Sequence, residues 1–373
     1  MKAIRHLFFL MATGSLLSGA LLISCQSRQS KSAAEILGNP EYPAISYGGY
    51  RQNTREVVPA VEELKEDMLI LEAQGIKVLR TYNTQQFAQA ERLLQAIDEL
   101  NEADPSFEMY VMLGAWIDCL GAWTGEPDHT QEDPVNNRAE IDAAVELTKA
   151  YPDIVKVIAV GNEAMVHWAG SYYVGPEVIL KWVNYLQDLK KEGKLPEDLW
   201  ITSSDNFASW GGGDDSYHKE ELRELMEAVD YISMHTYPFH DSHYNPDYWL
   251  GPAEEEGLSD LEKIDAAMLR ARDYAIAQYL AVEDHMKEVG VDKPIHIGET
   301  GWASTCGFSY GASGSRAADE YKQKLFYDLI REWSASQGVA CFFFEAFDES
   351  WKDRNNLLGS ENHFGLIDLQ GGA

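Results

Sequence analysis

Two glutamates, 136 residues apart, stand where a folded chain could use them together. Glu163 follows the apolar run Ile154-Val155-Lys156-Val157-Ile158-Ala159-Val160 through Gly161-Asn162. Glu299 follows Pro294-Ile295-His296-Ile297 through Gly298 and leads into Thr300-Gly301-Trp302. A short β-branched run closed by glycine reads as a buried strand giving way to a loop. A carboxylate at two such strand ends does little for stability. It suits chemistry in which one carboxyl gives a proton while a second attacks or activates water, and cleavage of a glycosidic bond needs that pair.

Bringing two strand tips together asks for a set of strands around a common centre. Runs that read as strands are 44–47, 76–81, 109–115, 154–161, 199–203, 231–235, 294–298 and 339–344. Helical patterns fill the gaps near 56–73, 84–101, 137–150, 176–192, 218–228, 259–289 and 317–336. In the first, Val57, Val61, Leu64, Met68 and Leu71 recur at helical spacing. Eight strands alternating with seven helices predict an α/β fold, a (β/α)8 TIM barrel in a single domain. A doubly wound sheet is the alternative, but Tyr47-Gly48-Gly49-Tyr50-Arg51 lacks the spacing of a dinucleotide-binding loop. In a barrel the chemistry sits at the C-terminal strand ends. Those ends carry Tyr47; Arg80 and Tyr82; Trp116; Asn162 and Glu163; Asp205 and Asn206; His235 and Tyr237; Glu299 and Trp302; Glu345, Asp348 and Glu349. Acids, amides and aromatics around the whole ring suit gripping and cutting a sugar chain.

The composition, 45% hydrophobic and 24% charged over 373 residues, is that of a globular protein. A formal net charge of −31 argues against nucleic acid as a partner, since phosphates would be repelled, and leaves a neutral glycan open. The N-terminus reads as an export signal. Lys2 and Arg5 precede an apolar stretch, Leu7 to Ile23, that falls short of a membrane span. It ends in Leu22-Ile23-Ser24-Cys25, which resembles the bacterial lipobox, with Cys25 as the acylated first residue. The expected organisation is a lipoprotein signal peptide over 1–24, a lipid-anchored tether over 25–41 and the barrel over 42–373. The expected location is the bacterial cell envelope, at the outer membrane or cell surface, held to the membrane by lipid alone. Cys341 reads as a buried small hydrophobe, and a Cys119–Cys306 disulfide is left open.

Several segments, in chain order, resemble glycoside hydrolase family 17, the β-1,3-glucanases. They are Ser46-Tyr47-Gly48, Leu79-Arg80-Thr81-Tyr82, Val160-Gly161-Asn162-Glu163, His235-Thr236-Tyr237-Pro238 and Gly298-Glu299-Thr300-Gly301-Trp302. The C-terminal signature is Phe347-Asp348-Glu349-Ser350-Trp351-Lys352 with Glu361-Asn362-His363-Phe364-Gly365-Leu366. The resemblance implies a retaining, endo-acting, laminarinase-like enzyme working by double displacement. Glu299 would attack the anomeric carbon; Glu163 would protonate the departing oxygen and later deprotonate water. Asn162 would bond the 2-hydroxyl of the cleaved sugar, Tyr237 would donate to Glu299, and Glu349 and Lys352 would form a charged pair at the floor of the site, either as a structural salt bridge or in direct contact with substrate. Tyr47, Arg80 and Tyr82 are expected to support the nucleophile or the sugar, with Arg80 alternatively the buried partner of a barrel acid. Trp302 is expected to stack on a sugar ring, with packing in the core as the alternative.

The expected partner is a β-1,3-glucan polysaccharide or oligosaccharide, met by a monomer with no cofactor. β-1,3-Glucan transglycosylation would use the same covalent intermediate, passed to a sugar in place of water. A non-catalytic surface glucan-binding lipoprotein is the reading from another class, although a binder does not need both glutamates. His235, His240, Asp241 and His243 fall close together but match no closed zinc spacing, so no metal is expected. The segments 117–138 and 239–258 depart from the family's core pattern and are expected to shape the cleft.

Overall fold

Eight strands pair in parallel and close on themselves in this computed structural model, which describes residues 30–307 and 316–368. The expected signal peptide and Cys25 lie outside the described residues. The strands are β1 (Ala44–Ser46), β2 (Val78–Arg80), β3 (Tyr110–Ala115), β4 (Val155–Asn162), β5 (Trp200–Asn206), β6 (Ile232–His235), β7 (Ile295–Gly301) and β8 (Cys341–Phe344). Each pairs with the next, and β8 returns to β1 with Phe342 opposite Ala44. This is the expected (β/α)8 barrel. β5 and β7 each run three residues past their expected ends, which carries them into the site.

Helices Val61–Ala73, Gln89–Ala103, Pro134–Ala150, Pro176–Lys191, Glu220–Ala228, Asp260–Glu288 and Glu320–Gln337 occupy the seven expected intervals. Their ends follow local chemistry. Asp133 accepts from the N–H groups of Val135 and Asn136 while Pro134 opens the helix, and Gly338, at φ +67°, closes the last one. The first helix starts late, just past Pro59. Two expectations for the loops are met by regular structure. Segment 117–138 holds an antiparallel ribbon, Cys119–Leu120 against Asp128–Glu132, and 239–258 contains most of the short helix Pro238–Tyr244.

The barrel interior changes character along its axis. Near the strand starts, Ala44, Val78, Tyr110, Met112, Val157, Ala159 and Phe342 form an apolar layer. Ala33, Ile36 and Leu37 join that layer from a four-residue helix, Ala33–Ile36. The expected tether, 25–41, includes these residues. Ser32 caps the turn through Glu35 Oε2, which accepts from its N–H at 2.9 Å and its hydroxyl at 2.8 Å, and apolar burial then draws the turn in. The barrel's apolar layer therefore includes part of the segment expected as tether. Towards the strand ends the interior becomes polar, with Ser46, Arg80, Ser204, Ser233, His235 and Glu299 all buried. Cys119, Cys306 and Cys341 are free thiols, and Cys341 is buried as expected.

Candidate active site

The tip of β4 is set by a bulge. Ala159 lies opposite Thr202 but Asn162 opposite Ser204, so β4 carries one residue more than β5 over this stretch. Gly161 absorbs the turn at φ +82°, and Glu163 itself sits at φ +46°, where a glutamate is strained. In a regular strand, neighbouring side chains face opposite ways. The bulge lets Asn162 and Glu163 both serve the barrel mouth. The Glu163 N–H donates to Ser204 O at 3.0 Å, and the next turn is tied by Met165 N–H to Asp205 Oδ2 at 2.7 Å. Burial pushes the Asp205 carboxyl up to about 6 against the hydrogen bonds it accepts. His235 Nδ1 lies 3.2 Å from Glu163 Oε1, and its Nε2 lies 2.8 Å from Ser204 Oγ.

The tip of β7 uses the same device. Ile297 faces Met234 while Glu299 faces His235, so Gly298 is the extra residue. A Cβ on Gly298 would lie 2.0 Å from Ser233 Oγ, which is why no side chain fits there. Glu299 is buried and surrounded by donors. Tyr237 OH donates to Oε1 at 2.6 Å and Tyr82 OH to Oε2 at 2.9 Å, while Arg80 Nη1 forms an ion pair with Oε2. Burial alone would raise this carboxyl. The Arg80 and His235 charges and the Tyr237 and Arg80 hydrogen bonds outweigh it and hold Glu299 at about 2. Burial and the adjacent negative charge push both tyrosines up, so each keeps its proton and donates. Arg80 also donates through Nη2 to Asn162 Oδ1, which links the two tips.

A cleft of two chambers meets at Glu299, Phe344 and Glu361. One, of about 620 Å3, is lined by Asn162, Tyr50, Arg55, Trp116, Trp123 and Trp351. The other, of about 670 Å3, is lined by Glu163, Trp168, Asn206, Tyr237 and Tyr244. A larger cavity beside Trp249 and Arg270 contains neither glutamate.

Glu349 and Lys352 line the first chamber and form the expected pair at 3.1 Å; buried Glu345 makes it a triad. Glu349 Oε1 also accepts the Tyr50 N–H at 2.8 Å, and Gly48 leaves room for it, since a Cβ there would lie 2.4 Å from that oxygen. Tyr47 borders the chamber, but its hydroxyl is committed to Asp67 Oδ2 at 2.7 Å, so it supports the wall. Trp302 does not stack at the cleft as expected but takes the alternative. It has no exposed surface, packs on Phe239, Trp249 and Phe326, and donates its indole N–H to Ala317 O at 2.9 Å. It directly follows β7, three residues past Glu299, so alternation turns it away from the cleft and it belongs to the core.

Some site residues escaped the sequence reading. His235 and Asp205 stood among the strand ends without an assigned partner. Ser204, Ser233 and Trp123 carried no local signal beyond a buried strand or a polar loop. Among the described residues no cluster of His, Cys, Asp or Glu is placed to hold a metal, and His235 is engaged with Glu163 and Ser204.

Known proteins share this architecture. Residues 44–365 match the BtgE/BtgC glycoside hydrolase domain. A glucan 1,3-beta-glucosidase of Arthroderma benhamiae is 25% identical over 312 residues, which is 82% of this chain and 80% of the relative. A putative glucan endo-1,3-beta-glucosidase btgC of Aspergillus niger is 26% identical over 83% of this chain, but that match spans only 39% of the fungal protein. An endo-laminarinase from Formosa Hel1_33_131 has a solved structure with TM-score 0.89 and 59% identity, covering 91% of this chain and 86% of that one. A Rhizomucor miehei beta-1,3-glucanosyltransferase, solved as an active-site mutant with laminaritriose, shares the fold at TM-score 0.60 and 21% identity, covering 89% of this chain and 96% of that one. With the domain matched over most of its length, the chain belongs to the BtgE/BtgC glycoside hydrolase family, within the family 17 group that its motifs resembled.

Proposed function

We propose that this protein is a retaining β-1,3-glucan hydrolase that cuts within laminarin-like chains. One observation carries the reading: two glutamates at a shared barrel mouth stand in opposite environments. Glu299 is buried and held anionic by three donors, while Glu163 is partly exposed with one histidine contact. That division matches a nucleophile and an acid/base.

In the first step a Glu299 carboxylate oxygen attacks the anomeric carbon. Glu163 gives its proton to the glycosidic oxygen, the C–O bond breaks, and an ester joins sugar to Glu299. The ester carries no charge, so Glu163, now a carboxylate, meets less repulsion. In the second step Glu163 takes a proton from water, the water oxygen attacks the same carbon, and Glu299 leaves. Asn162 Oδ1 is engaged with Arg80, which leaves its amide N–H groups for the 2-hydroxyl. The side lined by Asn162 holds the glycone, and the side lined by Glu163 holds the leaving group. Chambers on both sides of the pair favour internal cleavage.

The test is the product profile on laminarin over time. Oligosaccharides appearing before glucose, with turnover lost in Glu299→Ala and Glu163→Ala, are expected; wild-type-like turnover in either variant would end the assignment. Trp168 and Tyr244, both exposed on the leaving-group side, favour transfer to a sugar acceptor as a second reading. Products longer than the substrate at high oligosaccharide concentration would establish it.

We further propose that the chain is a monomeric lipoprotein of the cell envelope, acylated at Cys25; the lipobox-like Leu22-Ile23-Ser24-Cys25 supports this. Cys25→Ser should move the protein from the detergent phase to the aqueous phase. Unchanged partitioning refutes the anchor.

A further inference from the structure

The glycone chamber carries an aromatic surface that the two-step chemistry does not use. Trp116, just past β3, lines it together with Trp123. Trp123 belongs to the loop joining the two strands of the ribbon. Its ring stacks on Tyr172 at 4.8 Å and 20°, and Trp116 meets the same tyrosine at 5.1 Å. Tyr172 covers one face of the Trp123 indole, yet the residue is 60% exposed. A large open ring beside a cavity is a binding surface in waiting.

Three features hold that ring in place before any ligand arrives. Trp123 sits at φ +63°, where a bulky residue is strained, so the surrounding loop must enforce it. Its N–H donates to Ser171 O at 2.9 Å, tying the strained turn to the segment that bears Tyr172. Asp118 fixes the neighbouring indole: Trp116 Nε1 donates to its Oδ1 at 2.6 Å, and the Trp116 ring lies 6.2 Å from that of Trp123. A ring immobilised in advance loses little freedom on binding. Nearby, the amides of Asn83 and Gln86 line the same chamber. A flat apolar face rimmed by amides fits a pyranose, with its C–H face and ring of hydroxyls.

We propose that Trp123, with Trp116, is a stacking platform for a glucose unit of the glycone beyond the one being cleaved, and that it sets the preference for longer chains. This deepens the β-1,3-glucan reading above and rests on it. Asp118 is a positioning residue that acts through the Trp116 indole beside Trp123.

The test compares wild type, Trp123→Ala, Trp123→Phe and Asp118→Asn on laminaritriose and laminarihexaose. Hexaose binding is measured by calorimetry with Glu163→Gln added to each. Trp123→Ala should bind hexaose about tenfold more weakly, as expected for one lost aromatic contact. Its kcat/KM should fall by a similar factor on hexaose and by less on triose, with the product lengths redistributed. Trp123→Phe should recover most of the loss, and Asp118→Asn should show a smaller version of it. Hexaose affinity and products unchanged in Trp123→Ala overturn the platform. Equal losses on both substrates, unrelieved by phenylalanine, also overturn it, as a general disturbance of the loop. Failure of the wild type itself to bind or cleave either sugar overturns the glucan reading, an outcome visible without any Trp123 variant.

Discussion

The tips of β4 and β7 are built alike and end in different surroundings. Each places a glycine in a bulge and a glutamate within two residues of it. Glu299 then meets Arg80 and Tyr82 from the β2 side and Tyr237 from beyond β6, whereas the Glu163 carboxylate, among the described residues, has His235 as its side-chain partner and keeps 26% of its side-chain surface open. The local sequences Gly161-Asn162-Glu163 and Gly298-Glu299 do not encode this difference. It comes from what neighbouring strands deliver. In the mechanism we propose, one residue type takes two jobs because one tip is walled by donors and the other borders a chamber that a leaving group can enter.

Removing the carboxylates tests that contrast most severely. Glu299→Ala should lower kcat on laminarin by about 10^4-fold or more, as loss of a covalent nucleophile does. Glu163→Ala should cost about 10^2- to 10^4-fold on laminarin, the range of general acid–base catalysis, and much less on an aryl glycoside whose leaving group departs without a proton. Azide sharpens the comparison. In Glu299→Ala it would occupy the nucleophile's place and yield an α-glycosyl azide; in Glu163→Ala it would open the glycosyl-enzyme and yield the β-anomer. The same anomer from both variants would contradict the division of roles.

Dismantling the wall around Glu299 comes next. Arg80→Met leaves a buried carboxylate without its countercharge, and about 10^2-fold or more should be lost, since breaking a buried pair costs about 3–5 kcal/mol. Tyr237→Phe removes one hydrogen bond to a charged group, worth about 1.5–3 kcal/mol, or roughly 10- to 100-fold. Both changes should also move the acidic limb of the kcat/KM profile. Glu299 is lowered to about 2 from an ordinary 4.5, so its anionic form contributes stability above pH 4.5, and that contribution fades as pH falls towards 2. Losing a donor raises the Glu299 pKa, so the acidic limb shifts to higher pH, further in Arg80→Met than in Tyr237→Phe. A limb that stays in place in both would show that Glu299 does not set it.

The periodicity of apolar residues was enough to read the barrel, because eight buried parallel strands and seven covering helices impose it directly. Both glutamates were legible for the same reason: each follows a glycine that closes an apolar run. Side chains whose role depends on another strand were harder. Arg80 admitted two readings, and the structure combines them, as a buried partner whose acid is Glu299 itself. Trp302 stands three residues past Glu299, so alternation turns it away from the face that Glu299 takes, and which face that is depends on a one-residue bulge that appears only in pairing with β6 and β8. Segment 117–138 is expected to shape the cleft, but the placement of Trp123 within it is not legible, because it depends on a ribbon that pairs across a polar loop.

The smallest predicted effect tests the quieter tip. His235 lies opposite Glu299 in the sheet, yet its side chain reaches Glu163, and Ser204 Oγ holds the far ring nitrogen while lying 2.9 Å from Ser233 Oγ. Ser204→Ala leaves that buried nitrogen without its hydroxyl partner, at a cost of about 1–3 kcal/mol in stability. The imidazole then loses the contact that orients its Nδ1 towards Glu163. Activity on laminarin should fall only a few-fold, because Glu163 keeps its backbone anchor to Ser204 O, which alanine preserves. The loss should disappear on an aryl glycoside that needs no proton, and the acidic limb should move far less than in Arg80→Met, since the Arg80, Tyr82 and Tyr237 donors to Glu299 are untouched and only the His235 contribution is disturbed. An equal loss on both substrates would mean that Ser204 supports the barrel in general rather than the Glu163 tip, and the two strand ends would then be less independent than their separate sets of partners suggest.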